Sequence, residues 1–191
     1  MTKNKLRILI AIVFILITSA CRTSRFSEHQ VQLVQYSLKK SDLPGYGWSD
    51  KGKSWESAYQ GESYGSVYIQ NQDKYIFVRH TVSIHSSEDA AQQAYKEWEK
   101  EWFDFDLINL QPEVPYTPLD QDDDYRFECS QMKLNDPLIV CFYLQRHNQV
   151  ISFVGINLDY RSTSNLTFAE INDILAILDQ RLNEVVINPK P

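Results

Sequence analysis

Three apolar segments near the carboxyl end decide the fold: Tyr125-Arg-Phe-Glu-Cys-Ser-Gln-Met132, Leu138-Ile-Val-Cys-Phe-Tyr-Leu-Gln145 and Val150-Ile-Ser-Phe-Val-Gly-Ile-Asn-Leu-Asp159. The first carries Tyr125 and Phe127, and the other two are rich in β-branched and aromatic residues. Asn135-Asp136 and His147-Asn148 stand between them as chain reversals. Segments this close in sequence pair antiparallel, because a parallel pair needs a crossover of a dozen or more residues. Leu138 to Leu144 is apolar on both faces, which marks a central strand covered on both sides. If Asn135-Asp136 closes a hairpin, Cys129 and Cys141 lie nearly opposite one another. They are then either a disulfide or two small buried apolar side chains.

Outward from this meander, Thr167 with Glu170 three residues later reads as a capping box. It opens a helix whose apolar face is Ile171, Ile174, Leu175, Leu178 and Leu182. On the other side, Asp120 to Asp124 is an acidic lead-in. Before it, Pro112, Pro115 and Pro118 exclude helix and interior strand, so residues 104–121 are expected to be a long, partly extended loop. Further back, Ser86 with Asp89 starts a second helix, on which Ala91, Ala94, Tyr95, Trp98 and Trp102 recur at three- and four-residue steps. Its small alanines allow close approach to a sheet. A hairpin precedes it: Ser66 to Gln70, a turn at Asn71-Gln72-Asp73, and Lys74 to His85, where Ile76, Val78, Val82 and Ile84 alternate with Phe77, Arg79, Thr81 and Ser83. Residues 45–68 hold six aromatic rings among glycines and serines, and a short strand or two is expected there. Ser27 with Gln30 caps a first helix to about Lys39, with Val31, Val34 and Leu38 as its stripe.

The expected fold is therefore α+β: one antiparallel sheet of about five or six strands packed by three helices, in the order α-ββ-α-βββ-α. It occupies residues 27–187 as a single domain, followed by a tail at 188–191. In element order this resembles the PsbP-type α/β sandwich, a fold also met in bacterial lipoproteins. The resemblance carries no site residues with it.

Ahead of the domain, Lys3, Lys5 and Arg7 precede the apolar run Ile8 to Ile17 and the small residues Thr18-Ser19-Ala20. A basic start, a short apolar middle and a small-residue end are the parts of an export signal. Ten apolar residues make a helix about 15 Å long, half the roughly 30 Å hydrocarbon layer. Thr18-Ser19-Ala20-Cys21 resembles the lipobox of bacterial lipoproteins, although Thr18 stands where that family usually has Leu, with Ile17 one place further back. The resemblance implies cleavage after residue 20, a diacylglyceryl group on the Cys21 thiol, further acylation such as palmitate at the new amino terminus, and a short tether at 21–26. The mature protein would then be held on the outer face of the cytoplasmic membrane. Arg22 is not the aspartate tied to inner-membrane retention in some bacteria, so the outer membrane is the other destination, where one exists.

The composition, 43% hydrophobic and 23% charged, is that of a folding chain. Loss of the three signal cations leaves 16 lysines and arginines against 25 aspartates and glutamates, a net of −9. That balance excludes nucleic acid as the expected partner and a basic patch as the membrane contact. The lipid alone is the expected membrane link, since two acyl chains hold stably where one does not.

No catalytic motif emerges. GxSxG, HExxH and a phosphate-cradling glycine loop are all absent from the sequence. The histidines His29, His80, His85 and His147 are dispersed, and His80 and His85 have the odd spacing that sends them to opposite faces of one strand. Asp120, Asp122 and Asp124 have the alternate spacing of a calcium loop, but Tyr125 replaces its glycine and Gln131 its closing glutamate. No metal or other cofactor is expected. The remaining candidates are the rings Tyr46, Trp48, Trp55 and Tyr59, which either contact an envelope protein or glycan or pack beneath an irregular loop. The expected function is a non-catalytic binding or assembly role in the cell envelope. The alternatives are a small envelope enzyme using loop carboxylates or a structural accessory of a membrane complex.

Overall fold

A computed structural model describes residues 28–58, 61–70, 76–103, 108–110, 116–119, 124–131, 138–159 and 166–186. Helix α1 (Glu28–Tyr36) and a 3-10 turn (Lys40–Asp42) lead into β1 (Trp48–Ala58), β2 (Gly61–Gln70) and β3 (Phe77–His85). Helix α2 (Glu88–Phe103) follows, then β4 (Ile108–Leu110), β5 (Asp124–Gln131), β6 (Leu138–His147) and β7 (Val150–Asp159), and α3 (Phe168–Val186). The strands form one antiparallel sheet in the order β1-β2-β3-β7-β6-β5-β4. The α+β class and its helix-strand order stand, with seven strands in place of five or six.

Strand β4 is an addition and β1 is longer than the short strand or two expected at 45–68, and both departures have local causes. Strand β1 carries a bulge between Asp50 and Gly52, which breaks the period-two pattern that would otherwise announce a strand. Strand β4 is only three residues long and lies inside the stretch read as loop. Among the described strands it pairs with β5 alone, and a sheet margin is where nearby prolines are tolerated.

Alternation sorts the side chains to two faces. On one face Val78, Cys141, Tyr143, Val154, Ile156 and Leu158 pack with Leu38 and with Ile171, Ile174, Leu175 and Leu178 of α3. Leu33 and Tyr36 of α1 join Tyr64, Val82, Ile84, Val150 and Leu182 on that same side. On the opposite face Ala91, Ala94 and Tyr95 of α2 lie against Leu144, Ile151 and Phe153, with Trp98 and Trp102 packed around them. From His80 onward strand β3 is consequently buried on both faces, Thr81, Ser83 and His85 on one and Val82 and Ile84 on the other, while Phe77 and Arg79 are half-buried. Residue for residue, α1 departs from expectation. It ends at Tyr36, and among its described side chains Leu33 and Tyr36 are buried and Val34 is exposed, while Leu38 of the expected stripe is buried just beyond its end and the Val31 side chain lies outside those described.

The helix starts are fixed by side chains. The Thr167 hydroxyl accepts from the Glu170 amide at 3.2 Å while the Glu170 carboxylate accepts from the Thr167 amide at 2.8 Å, the reciprocal pair of a capping box. For α2 the cap is Ser87, whose hydroxyl accepts from the Ala90 amide at 3.1 Å, one residue later than Ser86. Asn148 turns β6 into β7 with φ 52°, a conformation that Asn tolerates in two-residue hairpins. Cys129 and Cys141 are register partners on β5 and β6, and the structure joins them in a disulfide.

Candidate functional site

The candidate rings divide sharply by environment. Tyr46 is 85% exposed, on the loop that enters β1. Its neighbours explain how a ring comes to be held in solvent. Gly45 and Gly47 adopt φ 70° and 87°, left-handed values that cost glycine little and other residues more. The Trp48 indole donates to the Pro44 carbonyl at 2.8 Å, closing the loop from below, and the Gln70 amide donates to the Tyr46 carbonyl at 3.4 Å. Trp48 itself is only 3% exposed and belongs to the core with Leu43, Tyr68 and Ile76. It is thus the loop's support, which corrects its expected part as a contact ring.

Trp55, 40% exposed on β1, leans on buried Tyr64 with ring centroids 4.6 Å apart. Seven residues of strand separate it from Trp48, roughly 23 Å at the strand rise, so Tyr46 and Trp55 do not form one surface. Tyr59 and Cys21 lie outside the described residues. Of the aromatic segment, Tyr64 and Tyr68 are core, and the Tyr68 hydroxyl donates to the Leu38 carbonyl at 2.9 Å. The packing reading therefore holds for Trp48, Tyr64 and Tyr68, while Tyr46 and Trp55 are exposed.

Below the Tyr46 loop, residues 37–43 are fastened by a polar network. The Leu38 amide donates to His80 Nδ1 at 3.0 Å, so the neutral ring carries its proton on Nε2 and donates to Ser152 Oγ at 3.1 Å. Burial, and next the Arg181 guanidinium, lower the His80 pKa to about 3 against a weaker pull from Asp42. Arg181 grips Asp42 through two 2.7 Å bonds and donates to the Ser37 carbonyl at 3.0 Å, tying α3 to this segment.

A second buried centre was not anticipated. Asp179 of α3 is fully buried, and its carboxylate accepts from the Tyr116 hydroxyl (2.7 Å), the Leu119 amide (2.6 Å), the Gln145 amide (2.9 Å) and the Asn183 amide (3.1 Å). Burial, then the bond to Asp179, raises the Tyr116 pKa well above its ordinary value. The signal was present: Asp179 falls one turn after Leu175, on the helix's apolar face, where a carboxylate must find donors. These donors come from three elements, which makes the centre a clasp for residues 116–119. Of the loop acids, Asp124 holds Arg146 at 2.7 Å, while Asp120 and Asp122 lie outside the described residues.

The fold so described is a three-layer α+β domain, with α1 and α3 on one side of a seven-stranded antiparallel sheet and α2 on the other. No protein-family model and no curated protein matches the sequence. Among solved structures it is similar to the extracellular domain of PknH from Mycobacterium tuberculosis, with a TM-score of 0.53 and 10% identity over 80% of this chain and 96% of that one. At that identity the likeness is one of fold.

Proposed function

We propose that this chain is a lipid-anchored extracytoplasmic lipoprotein with a non-catalytic binding or assembly role in the cell envelope. The anchor is a diacylglyceryl group on Cys21, and a PsbP-like domain carries the contact surface. The observation that carries the binding role is Tyr46, a ring 85% in solvent on a loop braced by two left-handed glycines and a buried indole. A rigid aromatic presented at low entropic cost is the residue type that dominates interface energetics. An envelope protein is the favoured partner, because a large, rigid and exposed ring is the residue type that anchors protein interfaces. The extracytoplasmic setting is supported by the signal-like start and by a disulfide between Cys129 and Cys141, a bond that persists in oxidising compartments.

Two measurements test this. Cells fed a clickable palmitate analogue should label the wild type and not Cys21→Ala, whose precursor should keep its leader. Crosslinking of the acylated protein in intact cells should then yield a discrete adduct that Tyr46→Ala loses at unchanged abundance. Absence of labelling would sink the anchor, and an adduct indifferent to Tyr46 would sink the contact surface.

A further inference from the structure

We infer that the domain stands on the bilayer by one pole of its sheet, so that the Tyr46 loop faces away from the lipid, about 30 Å further out. This rests on the proposed anchor at Cys21 and adds to it a direction. The chain enters the described domain at Glu28, the start of α1. Along α1 and the residues after it, Leu33 packs at the level of Val82, Ile84 and Val150, the Leu38 amide meets His80, and Trp48 pairs with Gln70. The chain thus runs from the pole where β3 ends and β7 begins to the pole where β1 begins and β2 ends. Helix α3 runs the other way, with Leu182 beside Val150 near its end. Entry at Glu28, exit after Val186 and the Asn148-Gln149 turn therefore share one pole, and Tyr46 lies at the other. Ten residues of β2 span the distance between the poles, about 30 Å at the strand rise.

Only six residues stand between Cys21 and Glu28, so the seven steps of chain reach at most about 25 Å when fully extended. A tether shorter than the domain keeps the entry pole near the headgroups. The acidic body, net −9 once the signal is gone, is repelled by anionic lipid and so disfavours lying flat. A partner gripping Tyr46 must accordingly be soluble or raise a domain of its own above the membrane. A segment lying within the bilayer is out of reach.

The test uses full-length acylated protein in vesicles of phosphatidylethanolamine and phosphatidylglycerol carrying acceptor-labelled lipid. Donor dye is placed at Tyr46→Cys or at Gln149→Cys, both surface positions, with Cys129 and Cys141 protected by their mutual bond. Energy transfer to the lipid should be about twofold or more greater from position 149 than from position 46, given the spacing of the poles. Equal transfer from protein that co-floats with the vesicles overturns the orientation and leaves the anchor standing. Protein that does not co-float overturns both.

Discussion

Tyr46 and Trp48 are two residues apart and have opposite environments, and substitution should separate their roles. Tyr46 has little to lose on truncation: Tyr46→Ala is expected to change stability by no more than about 0.5 kcal/mol, the usual range for an exposed site. Trp48→Ala removes a buried indole and the brace on Pro44, and should cost about 3–5 kcal/mol. Denaturant melts of the two variants check this directly. His80 sets a pH dependence whose sign follows from its depressed folded-state pKa of about 3. Between that value and the unfolded value near 6.5, the unfolded chain binds the proton and the native ring does not. Stability from this group is therefore complete above about pH 6.5 and drains away as pH falls towards 3, by up to about 5 kcal/mol. Carboxylates titrate in the lower half of that window too, so the readout is the difference between wild type and His80→Gln. If the two profiles are parallel from pH 7 to 4, His80 is not the source.

At the scale of elements, the Asp179 clasp joins α3, β6 and residues 116–119, and its removal should be felt locally before it is felt globally. Asp179→Ala removes the acceptor of the Tyr116 hydroxyl and of the Leu119 backbone amide, at a cost of roughly 2–4 kcal/mol. Hydrogen exchange at Leu119 should accelerate beyond what the global loss explains. Exchange that tracks only global unfolding would remove the clasp from the account. The clasp also shows where reading a sequence stops. The Thr167-Glu170 box, the alanine and tryptophan face of α2 and the three-strand meander are local patterns, and each was legible. Strand β1 was less so, because its bulge and Gly52 interrupt alternation. Asp179 and Tyr116 are 63 residues apart, and Leu38 and His80 are 42 apart. Such pairings are consequences of the completed fold, and no window of sequence contains them. Tyr46 was legible as a candidate, but its separation from Trp48 into surface and core required knowing which way the loop turns.

The whole molecule is built so that its two cores share strands. Val154 and Ile156 of β7 belong to the core under α1 and α3, while Ile151 and Phe153 of the same strand belong to the core under α2. Strand β6 divides likewise, with Tyr143 on one side and Leu144 on the other. Neither layer can come apart without exposing the reverse side of the strands that support the other, so unfolding should be a single cooperative transition. Tryptophan positions make this measurable. Trp48 reports on the α3 face, and Trp102 on the α2 face, where its ring lies 5.0 Å from Phe153. Variants that keep only one of these indoles, with phenylalanine at the other tryptophan sites, should give fluorescence transitions whose free-energy change coincides with far-UV circular dichroism on the same variant. Reducing the Cys129–Cys141 bond, which closes a short loop between β5 and β6, should lower stability by about 2–3 kcal/mol while leaving those transitions coincident. If instead the Trp48 and Trp102 signals part company on reduction, the disulfide is holding two separable layers together, and the shared strands are not the source of cooperativity.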